Sequence, residues 1–359
     1  MWQLVLADRA GALLGEVTDA HDRQFNLGLS TLNSGSFKVS AEHPLANTLV
    51  NANSLVLLYS KAGSAASVLR MVAELVTVEE VASDAGSTIA VTFAEAGYYR
   101  LQHRIIGRTA AGYSNGTAAL QVNRSVIAAA IIDLANADGA TGVTKGTMTS
   151  SGTTAIGPWR YKQVMEALTE LAFASDGYDY VFDPVDPSTG NVASFRCAAT
   201  IGTTKPNAVF EYGTGQRNVS SFKRQVSRDS LLNLAYVMPG GFPDNTADTV
   251  SSATDATSVT TYGTWQGVIS TDLTTAAARN ALATQHVTLR KAPRQRIEFV
   301  PGPSAPVYGT DYSIGDTVTA RAENPANAIR FNAAFRVYGV SVALTDEGLE
   351  QLTLTLIAD

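Results

Sequence analysis

The sequence runs twice through the same order of elements, and this repetition limits the possible folds more than any other feature of the chain. In the first copy a short alternating stretch at 54–59 precedes a loop, a long strand ending Leu75-Val76-Thr77-Val78, the turn Asp84-Ala85-Gly86, and then Ile89, Val91 and Phe93 in alternation. In the second, 316–320 precedes a loop, a long strand ending Val337-Tyr338-Gly339-Val340, the turn Asp346-Glu347-Gly348, and then Leu352, Leu354 and Leu356. A period of two is what half-buried strands require, because successive side chains leave opposite faces of a sheet. An Asp-x-Gly turn between alternating strands also arises in unrelated hairpins. The short strand shared upstream favours duplication, so two similar β-barrels in one chain are expected.

The segments between the copies give the rest of the plan. Strands are predicted over 2–6, 24–29, 36–41, 54–59, 69–81 and 88–93, with Gly35, Pro44 and Gly63 supplying turns, so 1–107 reads as the first compact barrel. Helical spacing then appears. Ser125 is the expected N-cap for 126–136, and 161–174 carries Tyr161, Val164, Met165, Leu168, Leu171 and Ala172 on one face. A strand at 178–182, a turn at 186–191 and a strand at 192–198 follow, which makes 108–207 an α/β insertion domain. The stretches 208–238 and 293–359 are assigned to the second barrel. Residues 239–263 start Pro-Gly-Gly and continue with Asp, Asn, Thr, Ser and Ala, so they read as a long exposed loop. A helix is expected from Thr271-Asp272 through Leu273, Ala277 and Leu282 to about Gln285, and 239–292 is placed as loop plus helix near the insertion domain. Pro301, Pro303 and Pro306 keep 301–312 out of a central strand. The fold class is mainly β with an α/β insertion.

Composition excludes several functions. Of 359 residues 45% are hydrophobic and 16% charged, which is the balance of a folded chain. Lys+Arg 26 against Asp+Glu 32 leaves a net charge of −6, unsuited to a surface that neutralises phosphates. One cysteine makes no internal disulfide or zinc tetrad, and four histidines are few for a metal protein. The N-terminus, Met1-Trp2-Gln3-Leu4-Val5-Leu6, reads as a strand and not as a signal peptide. The longest apolar candidate, 126–135, is broken by Asp133 and falls short of the about 18–20 residues of a membrane helix, so no membrane insertion by this chain is expected.

No constellation of reactive residues survives inspection. Gly213-Thr214-Gly215 lacks the third glycine and the following helix of a dinucleotide fingerprint. Asp176, Asp179, Asp183 and Asp186 cluster, but their spacing fails the calcium loop. Cys197 alternates with Phe195 and Ala199 as a small buried hydrophobe would. His21, His43, His103 and His286 stand far apart, and the adjacent acids Glu79-Glu80 and Asp346-Glu347 cannot converge across a cleft, since neighbours on a strand point to opposite faces. The expected catalytic, cofactor-binding and metal-ligating sets are therefore empty. The basic runs 221–225 and 290–296 are expected to be solvated or to meet acidic partners, a subunit contact being the preferred use. Asn115, Asn123 and Asn218 sit in glycosylation patterns that have no consequence without a signal peptide.

Against this background the chain resembles the baseplate hub or tail-tip hub proteins (minor tail proteins) of long-tailed bacteriophages and related contractile injection systems. The likeness lies in Phe37-Lys38-Val39-Ser40, Pro44-Leu45 and Ser54-Leu55-Val56-Leu57-Leu58 for a first barrel, and in Tyr312-Ser313-Ile314-Gly315-Asp316-Thr317-Val318 for the opening of the last. Arg336-Val337-Tyr338-Gly339-Val340 and Leu352-Thr353-Leu354-Thr355-Leu356 agree with it. The resemblance implies two tail-tube-like barrels flanking an α/β insertion, and a homotrimer whose barrels form a ring of pseudo-sixfold symmetry. Such a hub would join a distal tail or tail-tube protein above to tip, fibre or receptor-binding proteins below. Its channel would hold the tape-measure protein and pass DNA only in transit. It implies a non-enzymatic virion protein of the tail tip, made in the bacterial host cytoplasm. The alternative from another class is a carbohydrate-binding receptor-recognition tail protein, since Tyr 13 and Trp 3 can offer platforms for sugars.

Overall fold

Hydrogen-bond ladders turn the sequence repetition into a spatial one. The computed structural model describes residues 2–51, 54–61, 66–83, 86–109, 112–115, 122–150, 152–154, 156–173, 177–213, 217–239, 250–271, 276–324, 329–344 and 349–358. One sheet of thirteen strands holds both copies. In the first, Leu55–Ser60 pairs antiparallel with Val68–Ser83, which pairs antiparallel with Gly86–Glu95. In the second, Thr317–Asn324 pairs antiparallel with Ile329–Leu344, and Glu350–Ile357 lies on that strand's other side. Leu55 faces Glu74 as Thr317 faces Arg336, so the copies share a register. Both middle strands are 16 residues long. Of the two expected turns, 84–85 and 346–348 lie outside the described residues.

The correspondence extends beyond these hairpins. The first half is ordered Trp2–Ala7, Leu55–Ser60, Val68–Ser83, Gly86–Glu95, Ser34–Ser40, His21–Gly28; the second Thr204–Gly213, Thr317–Asn324, Ile329–Leu344, Glu350–Ile357, Arg294–Pro301, Val219–Ser227. The first pair in each order differs in sense, antiparallel in the first half, where Leu13–Glu16 adds a further strand outside it, and parallel in the second. Alternation makes the walls: Leu4, Leu6, Phe25, Leu27, Phe37, Val39, Ile89, Val91 and Phe93 are buried in the first half, and Phe210, Val318, Ala320, Val337, Leu354 and Leu356 in the second.

Contacts divide the chain into two compact units, 1–222 with 299–356 and 223–298 with 357–359. Within the first unit the insertion builds a three-stranded sheet: Val143–Met148 runs parallel to Ala193–Ala198, which is antiparallel to Asp179–Pro184. Helices Arg124–Ala137 and Val164–Ala172 bury Ile127, Ile131, Ile132, Met165, Leu168 and Leu171 in the same core as Tyr178, Tyr180, Phe182, Phe195 and Cys197. The second unit has its own small core. Leu234–Pro239 sits between Ser251–Thr254 and Gln266–Thr271, and Leu232, Ala235 and Val237 pack with Ala283 and Val287 of helix Ala276–Arg290.

Several local expectations need correction. Asn123, not Ser125, is the N-cap: its side chain accepts from Ser125 N, and Ser125 is buried inside the first turn. Tyr161 stands outside its expected helix, 67% exposed at φ 50°, because the helix begins only at Val164. A helix at Ala96–Gln102 was not foreseen; Gly97 permits it, since a Cβ there would sit 2.5 Å from Phe182 Cδ1. The expected loop 239–263 holds strand Ser251–Thr254 and helix Ala256–Tyr262, while 240–249 lie outside the described residues. That helix is capped by Asp255, which accepts from Ser258 N, so capping chemistry won over a Ser/Thr-rich composition. Residues 266–271 are strand, and the later helix runs from Ala276 past Gln285 to Arg290.

Candidate functional site

The two halves are spliced into one wall, and the splice is the most organised feature of the first unit. Gln24–Gly28 of strand His21–Gly28 pairs antiparallel with Gly339–Ala343 of strand Ile329–Leu344, in the register Gly28 to Gly339 through Gln24 to Ala343. Phe25 and Leu27 are buried on one strand and Val340 and Val342 on the other. On the outer side Ser341 Oγ bonds Asn26 Oδ1. Gly339 leaves space for close approach, since a Cβ there would lie 3.1 Å from Leu27 O, and Gly28 makes room for its own turn, where a Cβ would lie 2.6 Å from Thr31 Cγ2.

A polar knot ties the insertion to the second half beside this splice. The Arg336 guanidinium pairs with Asp179 and donates to Ile201 O at 2.7 Å and Gly315 O at 3.1 Å. Asp316, almost fully buried, accepts from Thr203 N at 2.7 Å and Ser313 N at 2.8 Å. Gly202 and Gly315 both have positive φ, and a Cβ on Gly202 would come within 2.2 Å of Gly315 C. The Tyr312-Ser-Ile-Gly-Asp run is thus a structural knot, with Tyr312 buried against Phe210 and Tyr308.

Two buried glutamates lie on neighbouring strands of the first half and differ in their partners. Glu74 is met by two guanidiniums, Arg100 at 2.6 Å and Arg9 at 2.7 Å. Glu95 receives an amide hydrogen bond from Asn33 Nδ2 at 2.8 Å, and among the described residues its other oxygen has no hydrogen-bond partner. Burial pushes the Glu95 carboxyl up to about 8, against the Asn33 bond and reinforced by the charge of Asp183, so the folded protein holds it protonated at neutral pH. The unfolded chain releases that proton near 4.5 and the folded one near 8. Stability is therefore expected to be greatest below the lower value and to fall, by at most ~1.4 kcal/mol per pH unit, as pH rises through the window. Urea unfolding across pH 5–9 checks this: Glu95→Gln should flatten the slope, and an unchanged slope in the variant would refute the assignment.

The residues singled out by sequence are dispersed. Cys197 is fully buried in the aromatic core, its thiol pushed up to about 11 by burial. His43 bonds Asp19 at 2.9 Å, His103 lies edge-on to Tyr99, His21 starts its strand, and His286 sits on the helix of the second unit. Asp179 serves Arg336, Asp183 forms a two-point pair with Arg196, and Asp186 caps the turn at Ser188; Asp176 lies outside the described residues. No group of three metal-binding side chains occurs among the described residues. Gly213 answers to close parallel strands, since a Cβ there would lie 2.0 Å from Glu323 O; residues 214–215 lie outside the described residues. In the basic runs Lys223 pairs with Glu298, Arg224 with Gln295 and Lys291 with Asp255. The splice, the Arg336 knot and the neutral Glu95 escaped sequence reasoning, and only the Tyr-x-x-Gly-Asp spacing hinted at the knot.

Comparison with known proteins agrees with this architecture. The family model described as Siphovirus ReqiPepy6 Gp37-like protein matches residues 3–356. No curated protein sequence matches the chain. Among solved structures, the tail protein from Neisseria meningitidis MC58 superposes with a TM-score of 0.63 at 13% identity, covering 100% of this chain and 97% of that one. The prophage tail protein gp18 from Listeria monocytogenes EGD-e gives 0.57 at 12%, covering 99% and 94%. The E. coli c3393 protein, a component of the type VI secretion system with structural similarity to T4 bacteriophage tail proteins gp27 and gp5, gives 0.51 at 10%, covering 95% and 74%. At these identities the likeness is one of fold.

Proposed function

This chain belongs to the Siphovirus ReqiPepy6 Gp37-like protein family, and from that premise we propose that it is the structural hub of a bacteriophage tail tip. The observation that carries the reading is the doubled wall: two halves with one spatial order of strands, spliced edge to edge in a single sheet. A chain that carries two equivalent units can meet a sixfold tube with three copies while presenting threefold symmetry to the tip. The fold shared with tail proteins over nearly the whole chain supports the same reading.

In this role the mechanism is geometric and electrostatic, without catalysis. The barrels enclose a channel for the tape-measure protein and later for DNA, and a net charge of −6 disfavours retention of a polyanion on the wall. We assign 1–107 and 208–238 with 293–359 to the barrels, 108–207 to the insertion, and 239–292 to the element expected as loop plus helix. A reconstruction of the assembled tail tests the proposal. It should contain three copies of this chain, with barrels alternating at steps of about 60° around the tail axis. Six copies, or a peripheral position off the axis, would defeat it and favour a receptor-binding role.

A further inference from the structure

The in-chain splice uses one strand edge from each half, and the same two edges recur elsewhere with no strand paired to them among the described residues. Strand Ile329–Leu344 is paired along 329–336 by Thr317–Asn324, and beyond the end of that short strand its same side receives Gln24–Gly28. Strand Val68–Ser83 is its counterpart. Leu55–Ser60 covers it only as far as Glu74, and among the described residues no strand pairs with 75–83 on that side. The exposures record the difference. Val340 and Val342 are 1% and 3% exposed, whereas Val76 and Val81 are 44% and 47% exposed and 79–82 are exposed without interruption.

The second recurring edge belongs to strand Val219–Ser227, which holds in the second half the place of His21–Gly28 in the first. Each of these strands is anchored at its start to the first strand of its own half: Arg23 donates to Trp2 O, and Asn218 Nδ2 to Val209 O. After that start His21–Gly28 turns its edge to the splice. Val219–Ser227 ends the sheet, with 223–226 exposed in succession. An unpaired edge on both sides of a sheet is a template for another chain.

We propose that 219–227 of one copy of this chain pairs with 75–83 of the next, repeating between copies the splice that joins the two halves within one. The partner is a second copy because the two open edges correspond, one to one, to the two edges already joined inside the chain. Charge agrees: Glu79 and Glu80 lie on one edge and Lys223 and Arg224 on the other, so opposite signs meet head to tail while like edges repel. The contact is heterologous, so it generates a ring when the rotation closes. This inference rests on the hub reading for the closure at three copies, and on the strand edges alone for the pairing.

Cysteine walking tests it in the full chain and in assembled tails. Glu79→Cys is combined in turn with Lys223→Cys, Arg224→Cys and Gln225→Cys, over a low background because Cys197 is fully buried. On oxidation one of the three pairs should link copies several-fold more efficiently than the others, while Glu79→Cys alone gives none. In parallel, Glu79→Lys with Glu80→Lys should abolish incorporation into tails, and adding Lys223→Glu with Arg224→Glu should restore it; circular dichroism confirms that each variant is folded. Three-copy rings in which no pair links and charge reversal is harmless would overturn the edge pairing and leave the hub standing. Linkage of the expected pair in an assembly of another copy number would uphold the edge pairing and remove the hub.

Discussion

Phe195→Ala should lower the stability of the chain by about 3–5 kcal/mol, the cost of an aromatic ring removed from a closed core. Phe195 is fully buried, and its ring meets Phe182 at 5.3 Å, Tyr180 at 5.8 Å and Tyr178 at 6.4 Å between centroids. It lies in the middle strand of the insertion's sheet, with a strand on either side, so the surroundings cannot close over the void. In urea the transition midpoint of the variant should move down with an unchanged slope. Phe195→Leu should lose only part of that stability, because it keeps most of the volume. A loss under about 1 kcal/mol for Phe195→Ala would mean that the insertion core is not packed as described.

Arg336→Ala should cost on the order of 3 kcal/mol, for a different reason. Its guanidinium serves Asp179 and two backbone carbonyls at once, from the insertion and from the turn at Gly315. The side chains of Arg336 and Asp179 are only 14% and 20% exposed, so removal of the cation leaves a carboxylate largely out of water. Arg336→Lys should recover less than half of the loss, since an ammonium lacks the planar fork that reaches all three acceptors. The double variant Arg336→Met with Asp179→Leu should be more stable than Arg336→Ala alone. In a double-mutant cycle, a double-variant loss equal to the sum of the two single losses would show that the pair is not coupled.

What sequence could reveal here was whatever depends on neighbours along the chain. Alternation at Ile89, Val91 and Phe93 or Leu352, Leu354 and Leu356 is a local signal, because burial on one face of a sheet repeats every second residue. The helix Val164–Ala172 was legible from its apolar face. The helix Ala256–Tyr262 was not, because with Val259 its largest aliphatic side chain it carries no apolar stripe and is held by a cap at Asp255.

The sequence by itself determined the mainly β class, the duplication and the α/β insertion, since each rests on periodicity and order. Only the tertiary structure decided that Gln24–Gly28 would take the free side of Ile329–Leu344, that Arg336 would find Asp179, and that Glu95 would be buried against an amide while Glu74 meets two guanidiniums. Those outcomes depend on which groups meet after the chain has crossed hundreds of residues, and on how much water each has lost. A hydrophobic pattern states which face of a strand is buried, but it does not state which strand lies at its edge.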